Sequence, residues 1–234
     1  MKVVFLSDAH LVREGDENFR RVAAFLDSLP QDLSRLVVNG DFFDCWFGDN
    51  SVAEQTYLPI LRLLDRLVER GVAVSFLEGN HDLNLQTVLG RRGYEVITDE
   101  LRTEIFGKRV LCVHGDLVTG DLLYRVWHYA LRSPVAAGLN AVVPAAAAMK
   151  IGLGMSTASR ARSRDIEEKV NAKLLAYAAT LRGVDIFITG HTHFPFDRTI
   201  AGAEGPVRVI NLGDWVSNFT YLWAEDGSWE LRRG

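Results

Sequence analysis

The chain has 234 residues, 48% hydrophobic and 24% charged, with a formal net charge of −4. That composition excludes long disorder and a fibrous repeat, and it leaves enough apolar surface for one large folded domain. The negative balance gives no global attraction to polyanions, so no nucleic-acid partner is expected.

The first apolar run, Val3 to Leu6, meets charge at Asp8. This is too soon for the core of a signal peptide, so the run reads as a first strand of a cytoplasmic protein. Helical spacing over Asn18 to Leu29 leads to a second strand at Leu36 to Val38. From Val52 to Arg70, Leu58, Leu61, Leu64 and Leu67 share a helical face, and Val72 to Leu77 is a third strand. This βαβαβ order predicts a mainly parallel sheet with helices outside it.

Two more buried strands follow, at Val110 to Val113 and Asp185 to Thr189. Between them, residues 121–182 read as helical, with Ala-rich runs punctuated by Pro134, Pro144, Gly152 and Gly154. They predict a helical cap and return helix inserted into a domain made of 1–120 and 183–234. The last runs, Val207 to Leu212, Phe219 to Trp223 and Trp229 to Leu231, are separated by Gly and Asp turns. They predict antiparallel strands and a second sheet packed on the first. Cys45 and Cys112 are too few for a disulfide framework and form no CxxC pair, so both are expected as free thiols.

Five polar clusters each follow a predicted strand: Asp8 with His10, GDFFD at 40–44, GNHD at 79–82, HGD from His114, and GHTH at 190–193. In open α/β sheets the rim beyond the carboxyl ends of the strands is where ligands bind. Residues remote in sequence therefore converge there. The clusters offer His, Asp and Asn donors and no thiolate. That set suits Mn²⁺, Fe²⁺, Zn²⁺ or Mg²⁺ with positions open for substrate, whereas structural zinc favours cysteine. One shared carboxylate can bridge two cations about 3.5–4 Å apart, the spacing at which a metal pair clamps both partners of a phosphoryl transfer. Gly40, Gly79 and Gly190 are expected to permit tight turns. Asp44 reads as a supporting or capping carboxylate, and His128, outside the motifs, as a structural or surface residue.

The motif order D-x-H, GD-x-x-D, GNH(D/E), a single His, then GH-x-H resembles that of the calcineurin-like metallophosphoesterases. The resemblance implies two mixed β-sheets packed as a sandwich and flanked by helices. It implies that Asp8, His10, Asp41 and His193 hold one metal, and that Asn80, His114 and His191 hold the other with Asp41 as bridge. It makes His81 the general acid or charge stabiliser, oriented by Asp82. Within the superfamily, GDFFDCWFGDN at 40–50, GHTHFP at 190–195 and NLGDW at 211–215 resemble the UDP-2,3-diacylglucosamine hydrolases of lipid A biosynthesis. That resemblance implies a Mn²⁺ enzyme, loosely attached to the inner membrane, which releases UMP from a lipidated sugar nucleotide. Well-known members have Arg where this chain has His81. The alternative is a phosphoesterase for another phosphodiester, nucleotide or phosphoprotein. A scaffold that has lost catalysis would be expected to lose ligands, and this chain keeps the full set.

In the predicted cap, the uncharged run Ser133 to Met149 is too short and proline-broken to span a bilayer. It either lines a lipid pocket or membrane contact, or packs on the sheet. Ser156, Ser159, Arg160, Arg162 and Arg164 form a basic, hydroxyl-rich patch that suits a diphosphate, or else a solvated helix face. Asp121 is a candidate sugar contact. Trp46 and Phe47 either flank the pocket or belong to the core.

Overall fold

The computed structural model describes residues 1–133 and 164–234, without the side chains of 164–168. Strand β1 (Lys2–Leu6) pairs in parallel with β2 (Arg35–Asn39), and β2 pairs in parallel with β4 (Ala73–Leu77). The short β6 (Glu95–Ile97) extends that sheet, and β12 (Thr220–Glu225) and β13 (Ser228–Arg233) add antiparallel on the other side of β1. A second sheet runs β10 (Phe196–Gly202), β11 (Gly205–Asn211), β9 (Ile186–Thr189), β8 (Lys108–Val113), β7 (Glu100–Ile105). A two-residue pair, β3 (Trp46–Phe47) with β5 (Asp82–Leu83), ties two rim loops together.

Alternation along the strands sorts the apolar residues into three layers. Val4, Leu6, Leu36, Val38, Val74 and Phe76 pack with helices α1 (Glu17–Ser28) and α2 (Ser51–Glu69). Their strand neighbours Val3, Phe5 and Val37 face Val110, Cys112, Ile186, Ile188 and Ile210 of the second sheet. On the far side of that sheet, Leu111, Val113, Phe187 and Val209 lie under Ala178 and Leu181, in and just after a long helix over Arg164–Thr180. The central strands are therefore apolar on both faces, which is why they read as continuous runs. Asn50 caps α2 by accepting from the amides of Val52 and Ala53 at 3.1 and 3.0 Å.

Three short helices complete the described chain: α3 (Gln86–Gly90), α4 (Asp116–Thr119) and α5 (Leu122–Leu131). The Arg164–Thr180 helix is α6, and it packs on β10, β11 and α4. Among the described residues, no helix is long and apolar enough to cross a membrane. Cys45 and Cys112 are buried and unpaired, and burial pushes both thiols up to about 12. Trp46 sits in the core, its ring 4.8 Å from that of Phe43 and 5.5 Å from that of Tyr57.

Candidate metal centre

The parallel strands β1, β2 and β4, and β8 and β9 of the second sheet, release their chains at one rim, where backbone bonds lock the loops together. The amides of Asp8, His10 and Leu11 donate to the carbonyls of Gly40, Asp41 and Phe42, each at 3.0 Å. The amide of His191 donates to Asp8 Oδ2 at 3.0 Å, and that of Gly190 to the His114 carbonyl at 2.8 Å. Of the three glycines expected to turn the chain, Gly40 has φ +86, but Gly79 and Gly190 serve close approach instead, Gly190 against Ser7 and the Asp8 carboxylate. A Cβ on Gly79 would fall on the carboxylate and amide of Asp41.

His10 Nε2 and His193 Nε2 face each other at 3.2 Å, with Asp8 Oδ1 3.4 Å from the latter. Asp8 Oδ1 is buried and accepts no hydrogen bond. The remote nitrogens lie against carboxylates: His10 Nδ1 is 3.2 Å from Asp44 Oδ1, and His193 Nδ1 is 3.6 Å from Asp214 Oδ2. A carboxylate beside Nδ1 favours the proton there by charge, and the Nε2 atoms of both rings point inward. Two facing lone pairs and an orphaned carboxylate oxygen fit a cation between them. Burial holds His10 below its ordinary range, which favours the neutral ligand form. Asp214 drops to about 2: burial opposes the shift, and His193 with the amides of Asn218 and Ser217 outweighs it.

A second group adjoins the first. Asp41 Oδ2 lies 3.3 Å from His114 Nε2 and 3.8 Å from His10 Nε2, so it reaches both groups. His114 Nδ1 donates to the Asn39 carbonyl at 3.0 Å, and its Nε2 is 3.3 Å from Asn80 Oδ1. The His191 ring stands 5.2 Å from that of His114. Burial would lift Asp41, but the imidazoles of His114 and His81 hold it well below the carboxylate range. Burial pulls His191 down to about 4. Burial would likewise lower His114, yet Asp41 holds it well above its ordinary value. The proton so attracted occupies ground that suits a cation. Among the described residues, donor atoms within 4.8 Å of one another gather in three sets: Asp8, His10, His193; His10, Asp44, His81; and Asp41, His114, His191.

Asp8, His10, Asp41, His191 and His193 all have positive φ, from 44° to 65°, a region L-residues enter at a cost. His81 Nδ1 lies 3.0 Å from the carbonyl of Asp44, which can only accept, so its Nε2 is the free end, 3.8 Å from Asp41 Oδ2. Asp82 departs from the expected role. Its oxygens accept from the amides of Gly79, Asp41, Phe42 and Phe43, so it clamps the GDFF loop while the Asp44 carbonyl orients His81. Burial and the Asp41 carboxylate push the Asp82 acid upward. With four N–H donors aimed at its oxygens, a proton there would meet only donors, and the carboxylate is the form the geometry accommodates.

Asp121 accepts the Tyr124 amide at 2.8 Å as the N-cap of α5, which gives it a local structural partner. Ser156, Ser159, Arg160 and Arg162 lie outside the described residues, as do the Arg164 side chain and the uncharged run beyond Ser133. His128 is the buried residue of α5, on its inner face. Sequence reasoning missed Asp214 as the partner of His193, although the NLGDW motif holds it.

This arrangement is that of a metal-dependent phosphoesterase. The calcineurin-like phosphoesterase family matches residues 1–195, and the chain belongs to it. It is therefore a metal-dependent hydrolase whose implied cofactors are divalent cations. The chain is 31% identical over 221 residues to the UDP-2,3-diacylglucosamine hydrolase of Pseudomonas paraeruginosa, covering 92% of this chain and 91% of that protein. It is 30% identical over 246 residues to the enzyme of the same name from Stenotrophomonas maltophilia, covering 99% and 98%. A further relative so named, from Pseudomonas putida, is 30% identical over 98% of this chain and 97% of its own length.

Proposed function

We propose that the protein hydrolyses the diphosphate of UDP-2,3-diacylglucosamine to UMP and 2,3-diacylglucosamine 1-phosphate. The observation that carries this is a helix built inside out beside the candidate metal centre. On α5, Leu122, Leu123, Val126 and Tyr129 are 79%, 77%, 59% and 53% exposed, while His128 is buried. An apolar surface of this kind suits acyl chains, and the curated relatives bear the name of that activity. It also suits peripheral contact of a cytoplasmic enzyme with the inner membrane. In this reading residues 121–182 are the cap, and the catalytic domain is 1–120 with 183–234.

Asp8, His10, Asp41 and His193 would hold one cation, and Asp41, Asn80, His114 and His191 the other, with Mn²⁺ the expected ion. When bound, the pair supplies charge for the phosphoryl oxygens and a nucleophile at neutral pH. His81 presents Nε2 beside Asp41 and would hold or deliver a proton to a phosphate oxygen there. Asp44 and Asp214 keep His10 and His193 turned inward, and Asp82 holds the Asp41 loop in place.

The test is hydrolysis by the Mn²⁺-loaded protein of UDP-2,3-diacylglucosamine beside UDP-N-acetylglucosamine and an aryl phosphodiester. Acyl-dependent release of UMP is the expected result. Equal rates on all three would move the function to another phosphodiester, nucleotide or phosphoprotein, with His81 the first residue to re-examine.

A further inference from the structure

The inner face of α5 is as unusual as its outer one. Tyr124, His128 and Arg132 recur every fourth residue and form a polar stripe turned into the protein. Asp116, two residues after His114, accepts from Tyr124 Oη at 2.8 Å, and its Oδ2 lies 3.1 Å from His128 Nδ1. Arg132 Nη1 lies 2.6 Å from His128 Nε2 and 3.2 Å from its Nδ1, and Arg132 Nη2 donates to Glu78 Oε2 at 3.3 Å. Glu78 precedes Asn80 by two residues, and its other oxygen accepts the Leu85 amide at 2.6 Å. Asn84 of the same loop donates to the Leu131 carbonyl at 3.2 Å.

The chemistry of the chain is fixed by its members. A carboxylate can only accept, so the proton of the His128 ring sits on Nδ1, toward Asp116, while the Arg132 guanidinium lies against the ring within reach of both nitrogens. Polar contacts then run unbroken from Glu78 through Arg132 and His128 to Asp116. The side chains are nearly inaccessible: 2% for Glu78, 9% for Arg132, 3% for His128 and 5% for Asp116. A buried chain of this kind is rigid when complete and costly when broken. It spans from the loop after β4, which carries Asn80 and His81, to the loop after β8, which carries His114.

We propose that this stripe of α5 sets the spacing of those two loops, making His128 and Arg132 positioning residues for the second cation. The inference rests on the reading that the centre holds two cations, and it deepens that reading. It also puts the outer apolar face on the same helix whose inner side chains meet the loops of the metal centre.

The experiment titrates metal-free protein with Mn²⁺ by calorimetry and follows the spin-coupled ion pair by electron paramagnetic resonance. His128→Leu, which can make neither bond, is expected to bind one ion normally and the other about tenfold more weakly, as partners outside the ligand shell do. The coupled-pair signal should vanish at Mn²⁺ levels that saturate the wild type. His128→Gln, whose amide can both accept and donate, should restore much of the loss. Arg132→Gln is a second variant, should the first fold poorly. The comparison for stability alone is Arg92→Met, which breaks the half-buried ion pairs with Glu54 and Asp65 on the α2 side of the first sheet. It should lower the melting temperature and leave both ions in place. Two ions bound with unchanged affinity in both His128→Leu and Arg132→Gln would overturn the proposal. A wild type that binds fewer than two would overturn it together with the two-cation reading.

Discussion

Asp82→Asn replaces one buried carboxylate oxygen with an amide nitrogen, at a place where each oxygen already receives two backbone N–H groups. Oδ1 accepts from Gly79 and Asp41 at 2.7 and 3.1 Å, and Oδ2 from Phe42 and Phe43 at 2.7 and 3.2 Å. Whichever way the new amide turns, two of these bonds are lost and its NH₂ faces two donors. Hydrogen bonds to a charged group contribute about 1.5–3 kcal/mol each, so the loss is roughly 3–6 kcal/mol. For a chain of this length, about 2–4 °C per kcal/mol converts that to a fall of roughly 6–24 °C in melting temperature. Scanning calorimetry of the metal-free wild type and variant isolates the loop clamp from any effect of bound ions. A variant that melts within about 2 °C of the wild type would refute the clamp, since even one lost bond should exceed that.

Gly79→Ala places a methyl on the Asp41 carboxylate and should abolish ion binding in a protein that still folds; circular dichroism and ion stoichiometry check this together. His114→Ala should remove activity by weakening one ion, whereas His81→Ala should lower turnover and leave ion content nearly intact. Equal ion loss in both would contradict the role given to His81. Chelation should destabilise the protein: each ion at a hundred times its dissociation constant adds about 2.7 kcal/mol, so two add about 5 kcal/mol. The metal-free form should then melt roughly 10–20 °C lower, and an unchanged melt would count against a tight metal pair. Asp185, lowered from 3.8 to about 2 chiefly by its bond to Arg109, stabilises the fold above its unfolded value. That contribution, under about 1 kcal/mol at a partly exposed pair, should fade as pH falls from 4 toward 2. The difference between wild type and Asp185→Asn, measured in urea, should shrink over that window.

The strands that carry the site were legible because they are apolar on both faces and end in polar clusters. Val3 to Leu6 and Leu36 to Val38 needed no tertiary information. Strand β7 was missed because only Leu101 and Ile105 of Glu100–Ile105 are buried, on one side of an edge strand. Its charged alternation resembles a surface loop. Strand β10 hides for the same reason, with exposed residues at Asp197, Arg198 and Thr199. The motif residues were readable because their types and order carry the chemistry. Their supports were not: Asp214 meets His193, and the Asp44 carbonyl meets His81, only after the chain has folded. Asp82 was misread because sequence proximity to His81 suggested a partnership, whereas a carboxylate surrounded by amides is a property of the loop's path. The polar stripe of α5 was visible as spacing but unreadable, since an exposed apolar face inverts the usual rule for a surface helix.

Among the described residues, nine non-glycine positions have positive φ, and five of them are Asp8, His10, Asp41, His191 and His193. At about 1–2 kcal/mol each, the conformational cost is roughly 5–10 kcal/mol, comparable with the whole net stability of a typical domain. Glycine would relieve it but would remove the donor atom. The strain is concentrated in the first candidate site, where Asp8, His10, Asp41 and His193 are all affected; in the second, only Asp41 and His191 are. Something must hold these loops against relaxation when no ion is bound. The backbone bonds from Asp8 to Gly40 and from His10 to Asp41 do part of this, and the Asp82 carboxylate does more by gripping the Asp41 amide itself. On this argument the clamp and the strained ligands are one device. Asp82 keeps Asp41 in a conformation its own backbone disfavours, so that the shared carboxylate is in place before any cation arrives.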